Sequence, residues 1–383
     1  MTGYAAGAAQ KGGAPLRRAA RPGSEVQMPS PVRPLPALAE LTPPPGSPHR
    51  GAPPRVPGSV RRTSHLNVTW PDGFGSPMHL HAGARDLVTG RDRQATVVDS
   101  AQLRVTIDST RTLRSVTSVP PRKALDGLIG QSGGRGYRAR LRELVPEDVA
   151  TGSPLHFLLD DMPGATLVAP IAWRLWPREQ EKLTEFAAST AASRVEAMRE
   201  VCSGWRADGA PLERMAQGGG LEQNLVPAHP LEQPDDPLAW HRMPAPSGDS
   251  AMFRRRRRVD VVAPEPGTPH GLLTVDSMFR DSMWSPQGVE TVVHEYGVHA
   301  TVDPATMRLV GLRADPRVLP FETCPSAADN VDLLLGEPMR TLRARVIRLV
   351  VGTDGCTHLN DALRALAEVP VLVDHLVTTG RID

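Results

Sequence analysis

Two stretches of this chain repeat one another at a nearly constant offset, and that repeat limits the available folds more than any other feature. At an offset of 195, Arg85-Asp86 falls on Arg280-Asp281 and Thr106-Ile107-Asp108 falls on Thr301-Val302-Asp303. At 205, the apolar stripe Tyr137, Leu141, Leu144, Val145 falls on Leu342, Val346, Leu349, Val350, with Arg138-Ala139-Arg140 over Arg343-Ala344-Arg345. The order of the matches is the same in both stretches, and the offset changes where loops are expected. Self-similarity of this kind marks a duplicated unit. The expectation is an α+β protein of two homologous units, each with antiparallel hairpins and helices. They are expected to pack as an internal pseudo-dimer, because duplicated units often bury a shared face.

The local patterns support such units. Leu103–Ile107 alternates with period two, Asp108-Ser109-Thr110-Arg111 supplies turn chemistry, and Leu113–Val119 reads as the returning strand, stopped by Pro120-Pro121. Thr291–Val302, the turn Asp303–Thr306 and Met307–Leu312 repeat that hairpin. A helix is predicted over Gly136–Val145, and a long one over Arg178–Cys202 with Gly204 as its stop. His156–Leu159 is either a strand or the start of a helix. Residues 1–58 carry 13 prolines and few acids, which predicts a disordered tail, with Pro31-Val32-Arg33-Pro34 as a docking alternative. The expected divisions are a tail 1–58, a first unit 59–176, a helix 177–206, a Pro/Gly-rich linker 207–250 around Gly218-Gly219-Gly220, and a second unit 251–383.

Bulk properties exclude some function classes. A net charge of +2 gives no reason to expect nucleic acid or a membrane surface. Residues 1–20 lack an apolar signal core, and no run approaches the roughly 18 apolar residues of a span. Three cysteines are too few for a disulfide framework and suit a reducing cytosol. Arg254–Arg258 is a run of five arginines. On a strand, alternate arginines point apart, so the expected use is a solvated edge that resists aggregation, with phosphate, nucleic acid or an acidic cofactor as the alternative.

The chemistry gathers in Gly355-Cys356-Thr357-His358-Leu359-Asn360-Asp361, with Cys324 upstream. Thr357 is the expected N-cap of a helix running to Ala367, placing Cys356 at the positive end of its dipole. His358 and Asp361, three apart, share a face. Several uses stay open. Cys324, Cys356 and His358, completed by His294 or His299, suit Zn²⁺. His294 and His299 are an odd number apart, so only one of them enters the site. In that metal site Asp361 would orient His358. Alternatively Cys356 is a nucleophile with His358, or a second His from elsewhere, as base, or Cys324 and Cys356 form a redox pair. Cysteines also often fill cores without chemistry. The catalytic candidates are therefore Cys356, His358 and Asp361, and the metal candidates Cys324, Cys356, His358 and His294. The reading is a cytosolic protein handling an unidentified small molecule by metal or thiol chemistry. The alternative is a binding or scaffold protein in which the motif is a structural staple.

Cys324-Pro325, followed some thirty residues later by Gly355-Cys356-Thr357-His358-Leu359, resembles an uncharacterised bacterial family known as domain of unknown function 2889. The His294 strand and the Thr301-Val302-Asp303 turn are similar too, and the resemblance covers roughly residues 252–378. It implies that these positions matter and brings no reaction with it. Where family members usually have Thr-Glu after the Leu, this chain has Asn360-Asp361, which keeps an acid but shortens it. The first unit looks like a divergent relative.

Overall fold

Two antiparallel meanders meet along their first strands. A computed structural model describes residues 46–217, 223–246, 248–268 and 270–379. The first meander is β1 (Ser59–Thr69), β2 (Met78–Thr89), β3 (Ala95–Ile107) and β4 (Leu113–Val119). After a two-residue strand β5 (Val226–Pro227), the second is β6 (Met252–Val262), β7 (Leu273–Trp284), β8 (Glu290–Asp303) and β9 (Arg308–Val318). β1 pairs antiparallel with β6, from Ser59↔Val262 to Thr69↔Met252. The result is one sheet in the order β4-β3-β2-β1-β6-β7-β8, with β5 and β9 both on β8. The α+β expectation is met.

Both predicted turns form by the same device. The Asp108 carboxylate accepts from the Thr110 and Thr112 amides, each at 2.9 Å, and the Asp303 carboxylate accepts from the Ala305 amide at 2.9 Å. An Asp side chain closing on amides a few residues ahead is what Asp contributes to a tight turn.

Eight helices among the described residues follow in chain order. They are α1 (Tyr137–Leu144), α2 (Pro146–Thr151), α3 (Pro154–Val168), α4 (Gln180–Met198), α5 (Ala210–Ala216), α6 (Leu342–Leu349), α7 (Thr357–Ala365) and α8 (Val369–Thr378). His156–Leu159 resolves as helix because Ser153 caps α3, its hydroxyl accepting from the His156 amide at 3.1 Å, with Pro154 in the first turn. The long helix is shorter than expected, ending at Met198. α3, α7 and α8 lie on one sheet face and build two apolar cores. One contains Leu66, Leu80, Leu103 and Leu158; the other contains Val259, Val298, Leu359, Leu363 and Leu372. The opposite face is covered by residues 231–246, with Leu231, Ala239 and Trp240 packed on Met278.

Three sequence expectations need correction. Arg254–Arg258 is not a solvated edge: β6 is interior to the sheet, and all five arginines are buried. The alternation holds, but both faces are covered and each guanidinium meets acceptors instead of water. Residues 46–58 are not tail. The Ala52 amide donates to the Leu231 carbonyl at 3.0 Å, and His49 Nδ1 bonds Glu295 at 2.5 Å. The 207–250 segment is more than a linker, since Leu231 and Trp240 are buried. Residues 1–45, including Pro31–Pro34, and Gly218-Gly219-Gly220 lie outside the described residues.

Candidate functional site

The sheet face under α3 and α7 is ionic at its centre. Arg255 projects from β6 beside Asp281 of β7, its register partner, and donates through Nε and Nη2 at 2.8 and 2.9 Å. Its third nitrogen, Nη1, reaches Asp161 of α3 at 3.0 Å and Asp361 of α7 at 3.1 Å. Two residues along, Arg257 grips Asp161 with Nε and Nη2, both at 2.6 Å, and donates to the Asp361 carbonyl at 2.9 Å. Both guanidiniums lie over the Phe279 ring, 4.7 and 4.8 Å from its centroid. Charges this deep stay ionised only when paired and fully hydrogen-bonded. Burial alone raises the Asp281 carboxyl, but the Arg255 guanidinium and then the adjacent His294 together hold Asp281 below the usual carboxylate range. Gly164 of α3 leaves the room needed: a Cβ there would stand 2.5 Å from an Asp361 oxygen and 2.6 Å from Arg255 Nη1.

Next to this clamp stand two imidazoles. His294 is opposite Asp281 across the β7–β8 pair, its Nδ1 3.5 Å from the carboxylate and without a hydrogen bond of good geometry. His358, in the first turn of α7, stacks on His294 with centroids 3.5 Å apart and planes 16° apart. Asp281, His294 and His358 each offer a ligand atom within 4.8 Å of the others. Burial depresses both imidazoles, which keeps them neutral. For His294 the Asp281 carboxylate partly opposes that shift, while for His358 its neighbour His294 adds to it. As parity predicts, His299 serves the other face, where its Nδ1 meets Asp276 at 2.8 Å.

The sulfurs are arranged differently from expectation. Cys356, not Thr357, is the N-cap residue of α7. Its Sγ is 3.9 Å from His358 Nδ1 and takes backbone N–H bonds from His358 and Leu359. The Tyr296 hydroxyl lies beside it, with no hydrogen bond of normal length. The thiol is buried, and burial with the nearby Cys202 pushes it up to about 11. The dipole therefore does not yield a thiolate, because desolvation at this helix end exceeds it. Cys324 lies in the same neighbourhood but outside the metal-competent group, and its thiol is raised by burial and then by Cys356. Cys202 belongs to this cluster as well. A Cβ on Gly204 would stand 2.8 Å from the Cys324 sulfur and 3.9 Å from that of Cys202. All three cysteines are free. Asp361, assigned to orient His358, instead ties α7 to Arg255 and, through Oδ1 at 3.1 Å, to Arg364.

The structure thus brings His294, His358 and Cys356 together and leaves Cys324 and Asp361 in adjoining roles. Sequence reasoning passed over Asp161, placed Arg255 in a solvated run, and noted Asp281 without assigning it to the ligand set. Asp281 carried a signal, being the conspicuous match of Asp86 in the repeat.

Residues 253–372 match the model of a family described as a protein of unknown function, DUF2889. This bears out the resemblance carried by the Cys-Thr-His string. No curated protein and no solved structure matches the chain. Among the described residues, no helix is long and apolar enough to cross a membrane.

Proposed function

We propose that the DUF2889-like half is a metal-dependent unit acting on a small molecule, with Asp281, His294 and His358 as ligands to Zn²⁺ or a similar divalent transition ion. The observation that carries this is the convergence of one carboxylate and two imidazoles within 4.8 Å on three different elements. Two imidazoles with one carboxylate are a donor set that borderline ions favour. The rings stack instead of fanning out, so coordination turns one of them; His358, half-buried at the start of α7, is the freer. Arg255 orients Asp281 in the way that outer partners hold metal-binding carboxylates. Cys356, 3.9 Å from His358, is the adjoining donor, with Cys324 beyond it. Its buried, protonated thiol argues for metal chemistry over thiol nucleophilicity. The same reading takes the two halves of the sheet as repeats of one unit meeting as an internal pseudo-dimer. It is supported by the matched pairs Arg62–Asp86 and Arg255–Asp281, and by α1 and α6 lying 205 residues apart with equal length. Three free thiols favour a reducing compartment such as the cytosol.

Metal analysis of the full chain purified without chelator, followed by Co²⁺ substitution, tests the ligand set. One equivalent is expected in the wild type, lost in both His294→Gln and His358→Gln while circular dichroism is unchanged. Visible Co²⁺ bands without a strong sulfur charge-transfer band would assign Asp281, His294 and His358. A strong charge-transfer band abolished by Cys356→Ser would give the site to the sulfur set instead. No bound metal, and no rise in melting temperature with added Zn²⁺, would sink the proposal.

A further inference from the structure

The face of the sheet away from the metal group holds its own unexplained feature. Residues 232–246 run over β6 and leave a groove of about 550 Å³, within the range of small-molecule sites. Trp240, His241, Arg242 and Pro244 line one side, and Arg254 forms the floor. Period-two alternation separates the two faces: Arg255 and Arg257 serve the helices, and Arg254 and Arg256 serve the groove side.

Arg254 differs from the other four arginines of its run. Arg255 and Arg257 hold Asp161, Arg256 holds Glu232 and Glu290, and Arg258 holds Asp260 and Asp276. Among the described residues, Arg254 has only neutral partners. Its Nε donates to Asn67 Oδ1 at 2.7 Å, its Nη2 donates to the Pro244 carbonyl at 2.5 Å, and its guanidinium lies over Trp284 at 5.0 Å. Yet it is 5% exposed. A buried cation in contact with no carboxylate is costly unless something anionic completes it. Burial, reinforced by Arg256, lowers its pKa to about 10 although the charges of Glu290 and Glu232 oppose the shift.

The surroundings are short of acceptors in the same sense. Trp240 Nε1, Arg256 Nε and Arg85 Nε are buried donors with no partner. Among the described residues, Arg85 donates to the Leu238 carbonyl alone, at 2.7 Å. The carboxylates at the groove are already committed, Glu232 to Arg256 and Asp236 to Arg55. Arg242 stands exposed at the rim, with no carboxylate paired to it among the described residues. His241 is fixed in the wall, bonded to Thr63 Oγ1 at 2.8 Å and to His65 Nδ1 at 2.6 Å. Native structures leave few buried donors unmatched, so Trp240 Nε1 in the groove lining, with Arg254 beside it, points to a missing acceptor.

We infer that this groove binds a small organic carboxylate, its anionic head on Arg254 and Arg242 and its flat apolar body against Trp240 and the prolines. A carboxylate suits the site better than a phosphate dianion. Among the described residues, Arg254 has Nη1 without a hydrogen bond in the floor, and the planar fork of Arg242 at the rim matches two oxygens. The site does not depend on the metal group, which is on the opposite face.

The probe is benzoate, titrated calorimetrically into the full chain and followed by tryptophan fluorescence, with inorganic phosphate as a second arm. Saturable benzoate binding is expected, weakened by roughly tenfold or more in Arg254→Gln. The exposed Arg242→Gln change, which leaves the packing untouched, should weaken it a few-fold and reduce the benzoate-dependent rise in melting temperature. His294→Gln should bind benzoate like the wild type. The inference is overturned if benzoate gives no saturable signal up to about 10 mM. It is also overturned if Arg242→Gln and a folded Arg254→Gln both bind unchanged, or if phosphate binds as tightly as benzoate.

Discussion

The two halves of the sheet hold an aspartate at the same point and surround it differently. Asp86 on β2 takes Arg62 of β1 through Nε and Nη2 at 2.7 and 2.6 Å, as Asp281 on β7 takes Arg255 of β6. Across the next hairpin the register partner is Asp99 in the N-terminal half and His294 in the C-terminal half. The third member is His375 of α8 in one group and His358 of α7 in the other. Two carboxylates and an imidazole form a harder, more exposed set, in which burial and then the Asp86 charge raise the Asp99 carboxyl. Two imidazoles and a carboxylate form a borderline, dry set. Either group could hold an ion, and the exchange of Asp99 for His294 at the register position makes the second the softer donor set, better suited to a transition ion. The halves also hold each other. Asp161, from the helix after the first meander, pairs with Arg255 and Arg257 of β6. Glu368, next to the last helix, pairs with Arg62 of β1 at 2.7 Å.

The sharpest way to break this correspondence is to remove each central arginine. Arg255→Met strands Asp281 and leaves Asp161 to Arg257 alone, and Arg62→Met leaves Asp86 with only His375 beside it and Glu368 with Arg343. Uncompensated buried charges cost about 3–5 kcal/mol. Urea unfolding at pH 7 should therefore show both variants destabilised by that order. A loss below about 1 kcal/mol in one of them would show that matched register does not carry matched energy.

Much of this was legible in the sequence. The repeat located both hairpins, both turns and the paired helices, because period-two alternation and Asp-led turns are local signals. It also marked Asp281 through its match with Asp86. The ionic centre was not legible. Five consecutive arginines read as solvated because nothing local says that β1, some 190 residues earlier, will pair with β6 and bury it. Their acceptors Asp161, Asp281 and Asp361 come from three elements far apart in the chain. The Cys356 thiol was misjudged for the same reason: helix position is local, whereas the burial that opposes ionisation is tertiary.

Acid separates the halves next. His65 and His156, in the N-terminal half, are held down to about 2 and about 4 from 6.5, by burial first. Both are neutral in the folded state, whereas the unfolded chain takes up protons below 6.5. Stability therefore falls as pH drops below 6.5, by about 1.4 kcal/mol per pH unit for each histidine, until the folded-state value is reached. Glu295, in the C-terminal half, is held down to about 2 from 4.5; burial opposes the shift, and Arg280 and His49 drive it. Its contribution is complete above 4.5 and is lost as pH falls toward 2. Urea midpoints across pH should fall in two stages. His156→Gln should flatten the stage between 6.5 and 4, and Glu295→Gln only the stage below 4.5. A single stage beginning below 4.5 would mean that the buried histidines do not resist protonation.

The smallest effect is expected where the halves touch at the rim. Arg91, in the turn after β2, meets Glu265, just past β6, at 3.0 Å, with side chains 32% and 81% exposed. Geometrically this pair joins the two meanders as Arg255–Asp161 does. In water, however, its Coulomb gain is screened and offset by the entropy of fixing two long side chains. Glu265→Gln should change the unfolding free energy by no more than about 0.5 kcal/mol, and less at high salt. If it instead costs more than about 1 kcal/mol, the halves are held at their margin as well as along the β1–β6 seam, and burial would no longer explain why the central arginines dominate.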